Sequence, residues 1–115
     1  MNIERGRTKH KLCHMVMGIA ATLFYIVPSF AKDGAAVYET VCRVCHGTGV
    51  MGAPKYGDKP GWKNRISKGV ATLEKNAIIE GFEGEKGLMP AKGGRSSLSD
   101  EEVKAAVAYM IDAVK

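Results

Sequence analysis

Residues 42–46 read CRVCH, and this pentapeptide constrains the chain more than any other segment. Its two thiols lie three positions apart and therefore face the same side of a helical turn, directly before the imidazole of His46. The chain has 115 residues, which allows one small domain. A domain of this size forms a thin core, so we expect disulfides, a metal or a bound group to support it.

The N-terminal segment has the three parts of a secretory signal. Residues 1–11 carry four basic side chains against Glu4, an apolar run extends from 12 to 27, and small residues stand at Ser29 and Ala31. This pattern predicts a signal peptide at 1–31, cleaved before Lys32, and a mature domain at 32–115 exported to the periplasm. The alternative is a retained membrane anchor, but the apolar run is shorter than the roughly 20 residues that a spanning helix needs.

Removing this segment changes the charge of the protein. The whole chain has a net charge of +5, whereas residues 32–115 hold 13 Lys and Arg against 11 Asp and Glu. The basic side chains that remain are scattered and show no cluster interleaved with aromatic residues. The sequence therefore does not favour nucleic acid as a partner.

The pentapeptide allows several kinds of chemistry. A redox dithiol of the thioredoxin type requires a βαβ pattern, which is lacking here. A tetrahedral zinc site needs four ligands, and residues 32–115 contain no Cys or His outside the pentapeptide. A local disulfide between Cys42 and Cys45 is a structural alternative. Covalent attachment of one haem c, through thioethers from both thiols and with His46 on the iron, accounts for all three side chains.

A second iron ligand follows by elimination. No other histidine lies in 32–115, which leaves the methionines at 51, 89 and 110. Met51 is too near His46 to reach the opposite haem face easily, and Met110 belongs to a helical apolar stripe. Met89 lies in a GLMPAKGG loop without helical period, where Pro90 stiffens the backbone. The sequence predicts His46 and Met89 as the axial ligands, and a buried loop residue is the alternative for Met89.

The remaining pattern predicts a small all-α fold of three to four helices around one haem. Asp33 is expected to cap a helix over 34–45, and a short helix is expected over 62–68. Thr72 is expected to cap a third helix over 73–80, which would end at Gly81. Ser99 and Glu102 form a capping-box pattern before an apolar stripe over 103–114. No segment alternates as a strand.

This order of elements and motifs resembles the class I cytochromes c, and most of all their small bacterial c5-like, or c-555-like, monohaem members. The resemblance covers roughly 33–114 and rests on CRVCH, MGAPKYGD at 51–58, Trp62 and MPAKGG at 89–94. It implies haem at Cys42 and Cys45, axial ligation by His46 and Met89, and a Pro54 carbonyl that orients the His46 ring. It also implies terminal helices that cross near Tyr38 and Tyr109. Relatives often have a cysteine pair after the Lys-Gly-Gly sequence, whereas residues 95–98 here have none.

Other candidate site residues have two interpretations each. The indole N–H of Trp62 either donates to a haem propionate or belongs to core packing. Tyr56 and Ile79 either line the haem crevice or make ordinary apolar contacts. The lysines either surround the haem edge and attract an acidic redox partner or form a solvated surface; they are Lys55, Lys59, Lys63 and Lys92.

The function expected from these features is a periplasmic one-electron carrier that shuttles electrons between redox partner proteins and is not an enzyme. A membrane-bound oxidase or reductase is a possible partner, and a monomer is expected. The alternative function is gas binding or peroxidase-like chemistry at a labile sixth ligand position. A third is a permanent haem subunit of a dehydrogenase or oxidase.

Overall fold

A computed structural model describes residues 33–115, so the expected signal peptide, its cleavage site before Lys32 and Cys13 lie outside the described part. Within 33–115 the chain forms four helices, and the prediction of a small helical fold is confirmed. The first, α1, spans 34–46 as the α-helical segments Gly34–Val37 and Arg43–His46 joined by a π-helical turn, Tyr38–Cys42. The others are α2 at Lys59–Ile66, α3 at Val70–Lys75 continued by a π-helical turn at Asn76–Glu80, and α4 at Asp100–Asp112.

The two terminal helices begin where the sequence predicts. The Asp33 side chain accepts a hydrogen bond of 3.1 Å from the Ala35 amide at the start of α1. At the start of α4, the Ser99 hydroxyl accepts from the Glu102 amide at 3.2 Å, and the Glu102 carboxylate accepts from the Ser99 amide at 2.8 Å. These reciprocal bonds are the predicted capping box, which satisfies backbone donors that the first turn leaves unpaired.

The two middle helices begin earlier than expected. Helix α2 starts at Lys59 because Pro60, with its fixed φ, suits the first helical turn. Helix α3 starts at Val70, with Gly69 before it, so Thr72 lies inside the helix and the prediction that it is the cap was wrong. Gly81 ends α3 as predicted, with a positive φ of 70°.

A short hairpin follows α3 and was not predicted. Strand β1, Phe82–Gly84, pairs antiparallel with β2, Gly87–Met89, so that Phe82 stands opposite Met89. Three residues per strand are too few to produce a recognisable alternation, which is why the sequence showed no strand. The hairpin determines where the backbone of Met89 lies.

The core forms where α4 crosses α1. Gly34 lies so close to the Ala105 carbonyl that a side chain at Gly34 would collide with it. The rings of Tyr38 and Tyr109 lie 5.4 Å apart at the same crossing, as the resemblance implied. The apolar stripe of α4 is buried against α1 and α3 through Val103, Ala106, Val107, Met110 and Ile111. Among residues 33–115, no helix is long and apolar enough to cross a membrane.

Candidate functional site

A cavity of about 800 Å³ opens between α1, the hairpin and the loop that leads to α4. This volume lies within the range of sites that bind cofactors. The four predicted haem-binding residues all line the cavity, although they come from two parts of the chain; they are Cys42, Cys45, His46 and Met89. Most of the lining surface is apolar.

Cys42 and Cys45 lie one helical turn apart near the end of α1, and both are free, half-buried thiols. Burial raises the pKa of the Cys42 thiol to about 11, and the neighbouring Cys45 adds to this effect. Both sulfur atoms face one cavity from a single turn of helix. This arrangement suits two covalent bonds to one planar group.

His46 ends α1 and is only 6% exposed. Its Nδ1 atom lies 2.8 Å from the Pro54 carbonyl oxygen, which is the contact that the resemblance implied. Burial lowers the pKa of the His46 ring, and the charge of Arg65 lowers it further, while the hydrogen bond to Pro54 acts against both. A carbonyl oxygen only accepts, so Nδ1 carries the hydrogen of the neutral ring. Nε2 is therefore left with a lone pair, as a metal ligand requires.

Met89 is half-buried at the end of β2 and packs against the core that α1 and α4 form. Its backbone is held closely on one side, because a side chain at Gly81 would come within 2.7 Å of the Met89 carbonyl oxygen. Only glycine fits there, at a positive φ. Its thioether is a soft, neutral donor group carried by a tightly packed backbone, a property that suits a metal ligand.

The other two methionines also line the cavity, which the sequence did not predict. Met51 is 59% exposed and packs against Gly87 of β2. Met110 is 3% exposed within a cluster that contains Tyr38 and Trp62, so its interpretation as core is confirmed. Met51 therefore provides a second thioether in the cavity, and the predicted role of Met89 as an iron ligand has to be tested against it.

Trp62 is buried in the cavity wall, with its ring 5.9 Å from that of His46. Its indole N–H donates to the Lys55 carbonyl at 2.8 Å. Indole has one such hydrogen, so this bond favours the packing interpretation over donation to a propionate. Through this hydrogen bond, Trp62 connects α2 to the loop that follows the pentapeptide.

The structure places neither Tyr56 nor Ile79 in the cavity wall. Tyr56 instead packs its ring on Tyr38 and Tyr109, at 4.9 and 5.1 Å. Ile79 is 70% exposed, because the turn that carries it buries Ala77 and the neighbouring Ile78 instead. The expectation that these two side chains line the haem crevice does not match this arrangement.

Several cations line the cavity, and most of them were missed from the sequence. Of the four lysines considered there, only Lys92 is among the lining residues, and Lys59 instead donates to the Lys115 carbonyl. The cationic lining residues are Arg65, Lys68, Lys86, Lys92 and Arg95, against Glu83 and Glu85. Arg65 follows Trp62 by three positions in α2, a helical spacing that could have identified it.

These features fit a haem. The cavity offers two thiols on one turn, a neutral buried imidazole and a thioether. Its wall is mainly apolar, which suits a macrocycle, and its cations exceed its acidic groups, which suits two propionates. In the described residues, no cluster of three or more His, Cys, Asp or Glu side chains could hold a bare metal ion.

The sequence matches a family described as Cytochrome C oxidase, cbb3-type, subunit III over residues 29–110. It is 48% identical to cytochrome c-555 of Chlorobaculum tepidum over 81% of this chain and 88% of that protein. It is 51% identical to cytochrome c-555 of Chlorobaculum thiosulfatiphilum, over 70% of this chain and 93% of that protein. Cytochrome c5 of Azotobacter vinelandii is 38% identical over the same shares.

A solved structure also matches. It is described as the electron transfer complex of nitrite reductase with cytochrome c, and the matching chain is 36% identical with a TM-score of 0.62. The match covers 71% of this chain and 94% of that one.

Proposed function

Because the chain belongs to the class I c-type cytochromes, we propose that it is a periplasmic one-electron carrier whose iron is held by His46 and Met89. The predicted covalent haem c at Cys42 and Cys45 is confirmed by this membership, and the homologues are electron carriers. Export, the boundary between 31 and 32, and the identity of the axial ligands are parts of the proposal.

The observation that carries the proposal is the convergence of the pentapeptide and Met89 on one cavity. His46 and Met89 come from separate elements, so the tertiary fold brings this imidazole and this thioether to the same space. When bound, haem c supplies a reversible one-electron couple of its iron, and imidazole with thioether ligation favours a raised potential.

The protein's own residues hold this site rigid. The hydrogen bond from His46 to Pro54 orients the ring, and the Tyr56 amide donates to the His46 carbonyl at 2.7 Å. Gly81 and the hairpin hold the backbone of Met89 on the other side. Fixed ligands keep the structural change between the two oxidation states small, which suits electron transfer. Mostly apolar walls limit the access of water.

The test of the axial ligands compares two methionines that line the same cavity. In the ferric holoprotein, a thioether on the iron produces a weak sulfur-to-iron charge-transfer band in the far red. We expect Met89→Ala to abolish this band and Met51→Ala to retain it. Loss of the band in Met51→Ala alone would assign the ligand to Met51.

The same samples test the alternative of gas binding or peroxidase-like chemistry. A carrier with a stable sixth ligand should bind CO slowly in the ferrous state, and Met89→Ala should bind it rapidly. Rapid CO binding by the unsubstituted protein, together with absence of the far-red band, would favour the labile-ligand function and contradict the carrier.

Export is tested by N-terminal sequencing of the holoprotein from a periplasmic fraction. We expect the sequence to begin Lys32-Asp33-Gly34. An intact N-terminus in the membrane fraction would instead support the anchored alternative.

The redox partners are proposed only by class. The similar cytochrome c chain was solved in an electron transfer complex with nitrite reductase, so we propose that this protein also meets its partners in transient complexes. The match to an oxidase subunit family favours a second candidate, a permanent haem subunit of an oxidase. Size-exclusion chromatography of native extract distinguishes them: a free carrier elutes at the size of a small monomer, and a subunit elutes with its complex.

A further inference from the structure

Lys92 connects the segment after Met89 to the start of α4. Its ammonium group donates to the Leu98 carbonyl oxygen at 2.8 Å and forms an ion pair with the Asp100 carboxylate at 2.8 Å. Its side chain is only 23% exposed. Leu98 belongs to the core and Asp100 to the first turn of α4. The two contacts close the loop formed by residues 90–99, which we call the ligand loop.

The backbone at Lys92 adopts an unusual conformation. Its φ is 54°, and the two glycines that follow also have positive φ, of 58° and 78°. This left-handed region is unfavourable for a residue with a Cβ atom. Glycine would be the natural residue at such a position, so the lysine there needs an interaction that offsets the strain. The two contacts of its ammonium group are such an interaction.

The ligand loop has other contacts as well. The Arg95 amide donates to the Lys92 carbonyl and the Leu98 amide to the Arg95 carbonyl, and two glycines pack closely nearer Met89 and α1. Gly81 supports the Met89 carbonyl, and Gly93 lies against Val41 of α1, where a side chain would come within 2.5 Å of the valine methyl. Residues 95–97 are exposed. No cysteine lies in 90–99, so no disulfide crosses the loop. Lys92 thus joins the loop to the rigid start of α4.

We propose that Lys92 is a positioning residue, which keeps the Met89 thioether in place by fastening the ligand loop to Leu98 and Asp100. This inference rests on the proposed role of Met89 as an axial ligand. Lys92 acts through the loop backbone, since its ammonium group is bound to Leu98 and Asp100.

The experiment measures how easily an added ligand displaces the thioether in the ferric holoprotein. Imidazole is titrated while the far-red band is recorded, and the apparent dissociation constant is obtained for each variant. Lys92→Met removes both contacts but keeps most of the side-chain length, Lys92→Arg retains a cation, and Asp100→Asn removes only the ion pair. Lys104→Met is the matched control, because it removes one positive charge from the exposed pair of Lys104 with Glu101 on the same helix.

We expect Lys92→Met to bind imidazole about tenfold more tightly, since it loses a charge-assisted hydrogen bond and a partly buried ion pair. Asp100→Asn should show a smaller increase, while Lys92→Arg and Lys104→Met should stay near the unsubstituted protein. Should Lys92→Met fail to yield holoprotein, Asp100→Asn still tests the ion pair.

The possible failures are distinguishable. A far-red band in the unsubstituted protein with equal imidazole affinity in Lys92→Met and Lys104→Met would overturn the positioning role alone, even if unfolding became easier. Absence of the band from the unsubstituted protein would overturn the axial role of Met89, and the positioning role with it.

Discussion

The Nδ1 atom of His46 donates to the carbonyl oxygen of Pro54 at a distance of 2.8 Å. Pro54 lies within the loop that follows α1, eight residues after His46, so the bond closes this part of the loop while it orients the ring. Pro54 has no amide hydrogen and a fixed φ, which restricts the backbone that carries this carbonyl. The contact therefore links the backbone of the loop to the electronic properties of the imidazole that we propose as a ligand.

Releasing this carbonyl should change the reduction potential. Pro54→Gly retains the carbonyl but frees φ, so the hydrogen bond to His46 should weaken and the imidazole should become a poorer electron donor. A poorer donor stabilises ferric iron less, so we expect the potential to rise, by up to about 59 mV for a tenfold change in the ratio of the two oxidation states. An equilibrium redox titration measures this, with Pro60→Gly as the control. A lower or unchanged potential in Pro54→Gly would contradict the role of the bond.

The crossing of α1 and α4 should not tolerate a side chain at Gly34. Gly34→Ala places a methyl group against the Ala105 carbonyl, a backbone atom that moves only with its helix. We expect the free energy of unfolding to fall by about 1–3 kcal/mol through overpacking, although alanine favours helix more than glycine does. Urea denaturation measures the change, and Ala36→Ser is the control because it adds one atom at an exposed position of the same helix. Equal stability of the two variants would show that the helices can separate freely.

The capping box of α4 should stabilise the fold, and another residue that can accept a hydrogen bond at position 99 should restore the stability that a loss of the cap removes. Ser99→Ala removes the acceptor of the Glu102 amide and should lower the free energy of unfolding by about 1 kcal/mol. Ser99→Asp should recover most of the loss, since it provides an acceptor and a favourable charge at the helix start. Ser97→Ala, in the exposed turn before the helix, should have little effect. Similar losses from Ser97→Ala and Ser99→Ala in urea denaturation would argue against the cap.

The tyrosine cluster should make stability depend on pH in alkaline solution. A side-chain hydrogen bond with Tyr109, and then burial, raise the pKa of Tyr56 to about 12 from its ordinary value of 10. Between these pH values the unfolded chain loses a proton that the folded chain retains, so stability is complete below pH 10 and falls as pH rises toward 12. In Tyr56→Phe, the decrease in melting temperature between pH 9 and 11 should be smaller than in the unsubstituted protein. An equal decrease would show that Tyr56 titrates normally in the fold.

Local patterns in the sequence predicted the parts of the fold that depend on neighbouring residues. The caps at Asp33 and Ser99 were predicted because a cap and the backbone amide that donates to it lie within three residues. The buried stripe of α4 was predicted because helical periodicity is also local. The starts of α2 and α3 were not predicted, because Pro60 and Gly69 permit several helix boundaries. The hairpin was not predicted either, because a strand of three residues is too short to show an alternating pattern.

In the candidate site too, local features were predicted from the sequence and features that depend on packing were not. The pentapeptide is contiguous, so its chemistry was evident from residues 42–46. Tyr56 and Ile79 were candidates for the haem crevice, with ordinary apolar contact as the alternative, and packing placed Tyr56 among tyrosines and left Ile79 exposed. Arg65 and the cationic lining were missed because the side of α2 that faces the cavity depends on how that helix docks.

The sequence by itself determined the attachment of haem c, the helical class and the start of the last helix, since each depends on residues within a few positions of one another. Tertiary structure decided which side chains share the cavity, the bond from the Trp62 indole to Lys55, and the contacts of Lys92 with Leu98 and Asp100. The physical reason is range: a cap or a motif acts within one turn, whereas a cavity wall forms only when separate elements bury their apolar faces together.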